Sequence, residues 1–174
     1  MSDLRETFIE ELKDLYDAEK QITKALPKMA KAAEHEELKE AFETHLEETE
    51  AQIERLERVF ELFDETPKGK KCKAMEGLIA EGKELIEEES GDAALICAAQ
   101  KIEHYEIASY GSLVSWARLL GEDEAADVLE ETLSEEEQTD EKLTDVAESA
   151  INVEEAEGDE GEEEEEATTS RKKK

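Results

Sequence analysis

Little in this chain favours a sheet or a long loop. Aromatic residues make up 5% of it, and there are eight Gly and two Pro in 174 residues. Strands draw on aromatic and β-branched side chains, and turns on Gly and Pro, so the scarcity of all these points to helices packed through Leu, Ile and Ala. An all-α fold is expected. Two cysteines, Cys72 and Cys97, form no CxxC pair and are too few for a disulfide scaffold; they are read as buried free thiols, a disulfide between them being unsupported. No apolar run approaches the roughly 20 residues that span a bilayer, and the start, MSDLRETF, lacks the apolar core of a signal peptide. A soluble cytoplasmic protein with no membrane partner is expected. Basic residues number 21 against 52 acidic, which argues against nucleic acid as a partner, because phosphate neutralisation needs clustered Lys and Arg.

What the chain has in excess is negative charge, −31 at neutral pH. Residues 153–174 hold ten acids and four bases, so −6 of that total is theirs and −25 is left to residues 1–152. A folded domain this acidic repels itself in dilute salt and is relieved by screening, as suits a salt-rich, halophilic cytoplasm. The segment 153–174 runs through EGDEGEEEEEATTS and ends in the basic tetrapeptide RKKK. It cannot bury enough apolar surface to fold and is read as a disordered acidic tail. Residues 1–152 suffice for a single domain with a proper core.

Within that domain, apolar residues recur at three- and four-residue spacings. The first stripe, Phe8, Leu12, Leu15, Tyr16, Ile22, Leu26, Ala30 and Ala33, predicts a helix over 4–34, with Pro27 a point where it could bend. After a turn at His35, Leu38, Phe42, Ile53, Leu56 and Phe60 predict a second helix over 37–63. DETPKGKK, with Pro67 and Gly69, marks a loop. A shorter helix is expected over 72–89, then one over 93–120 on Ile96, Ala99, Tyr110, Leu113 and Ala117. After Gly121 a last helix over 123–151 carries Ala125, Leu129, Leu133, Leu143 and Ala147. Two short turns make two antiparallel hairpins. The connection between them contains a helix of about 26 Å, long enough to carry the chain back along the bundle. Two hairpins joined by one long crossover is the ferritin-like form of the four-helix bundle. A weak internal repeat agrees: with Glu19 aligned on Glu106, Ala30 meets Ala117, Leu46 meets Leu133, Glu48 meets Glu135 and Leu56 meets Leu143.

Acidic residues interrupt these stripes. At about 100° per residue, Glu106 falls near −20° and Glu103 near +40° from Ala99, Glu19 near −20° from Leu12, and Glu136 and Asp140 near −20° and +20° from Leu129. His45 and Thr49 lie in the second helix's seam, Gln52 at its shoulder, and Glu48 and Glu135 at the margins. An ionised carboxylate in an apolar seam costs several kcal/mol unless it is paired, protonated or bound to a cation. Lys20, Lys24, Arg55 and Lys101 only flank the seams, and a shared proton could neutralise one or two acids but hardly five. A divalent or trivalent metal remains, and facing carboxylates with imidazole suit a pair of iron or manganese ions. The candidate ligands are Glu19, His45, Glu48, Glu103, Glu106, Glu136 and Asp140. The competing reading is that some acids reach any seam by chance in so acidic a chain, with Glu103 and Asp140 turned outward on slightly rotated helices. The Glu-x-x-His motif usual in di-iron bundles is absent: Ala32, Phe42 and Lys101 stand three residues before His35, His45 and His104. Helix two offers the reverse order, His45-x-x-Glu48.

HLEETEAQIERLE from His45, CKAMEGLI from Cys72, DAALICAAQKIEHYEIASYG from Asp92 and TLSEEEQTDEKLTDVA from Thr132 closely resemble the YciE/YciF family of ferritin-like stress proteins, over about residues 5–152. EHYEIASYG is the specific signature. The resemblance implies a ferritin-like bundle, commonly dimeric, linked to stress responses and likened to rubrerythrin-type di-iron proteins, without implying a settled reaction. Two functions follow as expectations: a stress protein with a carboxylate-rich di-metal site handling iron or a small oxidant such as peroxide, or a metal-free homodimer with a structural or interaction role.

Overall fold

The computed structural model describes residues 3–153 and Ala156. Five α-helices account for most of them: α1 Leu4–Ala32, α2 Glu36–Leu62, α3 Lys73–Glu87, α4 Asp92–Leu120 and α5 Asp123–Val146, the last running into a π-helical turn, Ala147–Ile151. No strand is present among the described residues, and none of their helices is long and apolar enough to cross a membrane. The proposed tail lies outside the described residues apart from Val153 and Ala156. Helix α1 packs on α2 and α4 on α5, the two hairpins meet through α1 against α4 and α2 against α5, and α3 lies outside the bundle across α1 and α4. The fold is the all-α, two-hairpin bundle with a helix in its crossover.

Each end of these elements has a local cause. Asp3 caps α1 by accepting from the Glu6 N–H at 2.8 Å, and the helix runs through Pro27 without interruption. Gly121 closes α4 at φ 78°, a left-handed conformation that a side chain would strain. The carboxylate of Asp92, in the first turn of α4, accepts from the N–H groups of Glu34, at 3.0 and 3.1 Å, and of His35, at 2.7 Å. One side chain thus fastens the α1–α2 turn to the start of the second hairpin. The loop before α3 is held on α1: Lys70 N–H donates to the Lys13 carbonyl at 3.0 Å, Cys72 N–H to Asp17 Oδ2 at 2.9 Å, and Gln21 Nε2 to the Cys72 carbonyl at 3.1 Å.

The core changes character along the bundle. At one end Phe8 stacks on Phe63 with ring centroids 4.3 Å apart, and Tyr16 meets Phe60 edge-on at 5.6 Å. Toward the other end Leu26, Met29, Leu38, Ile96, Val146 and Ile151 are buried. Between these apolar ends, all four bundle helices bury polar side chains. Both cysteines are free, as expected, but Cys97 is exposed. It lies about 160° round α4 from Ala99, opposite the stripe, so the helical spacing itself turns it to solvent.

Candidate metal centre

Glu19 comes from α1, His45 from α2, Glu103 and Glu106 from α4 and Glu136 from α5; none is more than 2% exposed. Helix phase puts them there. Glu103 and Glu106 are three residues apart and share a face, while Glu19 and Glu136 occupy positions in their stripes that would otherwise be Leu or Ala. One ligand atom each from His45, Glu103, Glu106 and Glu136 lies within 4.8 Å of all the others. His45 Nε2 is 3.4 Å from Glu103 Oε1 and 3.7 Å from Glu136 Oε2. Glu19 completes the group and is held from behind by the buried Tyr110, whose hydroxyl donates to Glu19 Oε1 in a very short hydrogen bond.

Most polar atoms of this cluster have no partner. Among the described residues nine buried side-chain oxygens and nitrogens lack a hydrogen bond, and eight of them are here: Glu19 Oε2, His45 Nε2, Gln52 Oε1, Glu103 Oε2, and both oxygens of Glu106 and of Glu136. No Lys or Arg of the described residues pairs with any of the five ligand candidates. Burial, first of all, raises the carboxyl pKa values. Glu19, repelled also by Glu136, is pushed to about 8 despite the Tyr110 hydrogen bond, and Glu103 likewise to about 8. Glu106, facing Glu19, Glu136 and Glu103, lies well above the ordinary range, as does Glu136. Burial disfavours the imidazolium of His45, but Glu48, Glu136 and Glu19 outweigh it and raise that pKa. Oxygen-rich ligands with one imidazole, and unmet acceptors turned inward, form a group that could hold a metal ion.

Two candidates take other places. Glu48 is half-exposed and reaches only the outer nitrogen of His45, Nδ1, at 3.5 Å. Asp140 is drawn aside by α4: it accepts from Gln100 Nε2 at 3.1 Å and faces the exposed His104 at 3.5 Å. Neither belongs to the converging group. Glu135, marginal by phase, is clasped by Arg55 through two bonds of 2.6 Å. Gln52, placed only at the shoulder of its seam, is fully buried; it donates to Glu135 at 3.1 Å and leaves its carbonyl oxygen free in the cluster. The Glu19–Glu106 register carried onward sets Thr49 against Glu136 and Gln52 against Thr139, so the first hairpin has a hydroxyl where the second has a carboxylate. Nor does either hairpin supply an imidazole three residues on: Gln52 follows Thr49 and Thr139 follows Glu136.

The residues 3–156 match a family described as a domain of unknown function, DUF892. The chain belongs to the DUF892 family. Its similarity to protein YciF of Escherichia coli strain K12 is 53% identity over 157 residues, covering 87% of this chain and 95% of that protein. The crystal structure of the E. coli stress protein YciF superposes with a TM-score of 0.84 at 52% identity, over 87% of this chain and 99% of that one. YcfI of Rhodopseudomonas palustris aligns at 0.80 and 43%, over 82% and 94% of the two chains. A protein of Xanthomonas campestris pv. campestris aligns at 0.72 and 30%, over 91% and 99%. The DUF892 bundle is thus shared across these relatives.

Proposed function

We propose that this DUF892 chain is a cytoplasmic stress-response protein that binds two iron or manganese ions among Glu19, His45, Glu103, Glu106 and Glu136, and handles iron or a small oxidant such as peroxide. The observation that carries this reading is the set of eight unpartnered polar atoms gathered in one cluster, to which no Lys or Arg of the described residues is bonded. Bound there, such ions would supply Lewis acidity and redox capacity in a dry core. The chain's own part is to place carboxylates on facing helices, to hold Glu19 through Tyr110, and to give His45 a route for its proton outward to Glu48 and Thr139, whose hydroxyl lies 3.4 Å from Nδ1. Likeness to a named stress protein supports the physiological setting. We also propose a homodimer adapted to high salt.

Elemental analysis of protein purified at high salt without chelators tests this. Metal near two ions per chain is expected, by analogy with two-metal carboxylate bundles, falling to background in Glu106→Ala. Metal content that survives Glu106→Ala would refute the assignment. One observation favours the metal-free reading: with carboxyls raised to about 8, the cluster can stay largely protonated near neutrality and act as an uncharged polar core. In that case the chelated protein folds fully, and Glu106→Ala leaves its melting temperature and assembly unchanged.

A further inference from the structure

On the face away from the carboxylates, α3 does not close fully on α1 and α4. The three helices leave a cavity of about 630 Å³, within the size range of small-molecule pockets. Its floor is apolar: Met29 and Ala25 from α1, Leu78, Ile79 and Ile86 from α3, and Ile102 from α4. Its rim is basic, with Lys24, Lys28 and Lys31 from α1 and Lys83 from α3. In a chain with 52 acidic and 21 basic residues, the sign here is reversed. Glu87 is the single acid lining the cavity, and Lys83 already holds it at 3.1 Å.

Lys24, Lys28 and Lys31 are spaced by four and three residues, so they stand along one edge of α1. Most bases of the described residues have an acidic partner, as Arg55, Arg58, Lys71, Lys101 and Arg118 do. These three have no ion pair among the described residues. An apolar recess behind unpaired ammonium groups fits an alkyl chain ending in an anion. A helix face of a second acidic copy would meet the lysines but put carboxylates rather than hydrocarbon on the floor. An anionic membrane would be repelled over its whole extent by a protein of charge −31. For a small ligand that distant charge is screened beyond about 8 Å at physiological salt, and the contacting lysines decide. We infer that the cleft between α1, α3 and α4 binds a free single-chain amphiphile with an anionic head, of the fatty-acid class, its tail on Met29, Ile79 and Ile102 and its head among Lys24, Lys28 and Lys31.

Calorimetric titration of the full chain with sodium dodecanoate, below its micelle concentration, tests the inference. Saturable binding near one per chain is expected. Each buried methylene should tighten it about fourfold, so dodecanoate should bind at least tenfold more tightly than octanoate. Lys24→Ala, Lys28→Ala and Lys31→Ala together should weaken it at least tenfold, and the corresponding Arg triple variant should keep it. All three side chains are exposed, and circular dichroism checks that the variants stay helical. Absence of binding, equal binding of dodecyltrimethylammonium, or affinity unchanged in the Ala variant overturns the inference. So does association with phosphatidylglycerol vesicles in place of the free acid, or an Ala variant that alters only the assembly's mass.

Discussion

Glu135 and Glu136 are neighbours in the chain and opposites in their surroundings. Glu135 faces α2 at the bundle's edge, where burial is outweighed by Arg55 and Gln52 and its carboxyl is held below the usual range. Glu136, 100° further round the same helix, is buried among Glu103, Glu106 and Glu19 with no Lys or Arg bonded to it; burial, joined by Glu103, lifts it well above that range against the pull of His45. A step of one residue separates a stabilising acid from one that needs a proton or a metal. In so acidic a chain helix phase, rather than residue type, distinguishes scaffold from site.

The sharpest way to expose that contrast is pH. A carboxyl whose folded-state pKa is raised contributes stability in full below the ordinary 4.5 and loses it as pH climbs through the folded value, about 8 for Glu19 and Glu103. His45, also raised, adds in the same direction. Chelated protein should therefore lose stability, on the order of several kcal/mol, between about pH 5 and about pH 9. Urea midpoints in about 1 M salt, which suppresses surface repulsion, measure this, and Glu19→Gln should flatten the slope. A slope identical in the variant would place the titration elsewhere. Metal affinity should run the other way, rising with pH as the ligands lose protons.

Substituting each neighbour by Leu sharpens the comparison directly. In chelator, Glu136→Leu should stabilise the fold by about 1–4 kcal/mol, since a hydrophobe replaces a buried uncompensated acid, while metal content disappears. Glu135→Leu should instead cost about 1–2 kcal/mol by removing the two shortest bonds of Arg55, which keeps Glu131 and Thr132, with metal retained. Equal signs in chemical denaturation would contradict the difference drawn between them. Tyr110→Phe, which leaves Glu19 Oε1 unmatched, should cost about 1–3 kcal/mol in the same assay. The smallest effect belongs to Glu48→Gln at the half-exposed rim: a few tenths of a kcal/mol, and unchanged metal by elemental analysis.

Most of the bundle could be read from spacing because its stripes are long and its breaks chemically plain: Pro67, Gly69 and Gly121 fall in or next to the turns. The same angles located Glu19, His45, Glu103, Glu106 and Glu136 at the interior. They misled at Asp140, which has the right phase but finds Gln100 and His104 on the neighbouring helix. Leu133, placed in the stripe, is half-buried, and Thr132 takes the interior position. Tyr110 read as one more apolar residue, since nothing on α4 announces that its hydroxyl meets Glu19 across the bundle. Gln52 at a shoulder became interior for the same reason. Phase along one helix is local information, whereas the partner that captures a side chain comes from another part of the chain.

The depth of the cluster has a kinetic consequence. With Glu19, His45, Glu103, Glu106 and Glu136 each at 2% exposure or less, an ion in the medium reaches the cluster only when the helices part. Such openings draw on the stability of the whole bundle rather than of a loose terminus. On the proposed metal-binding reading, occupancy would record whichever ion was abundant while the chain folded, and later swings in the cell's supply would leave it almost untouched.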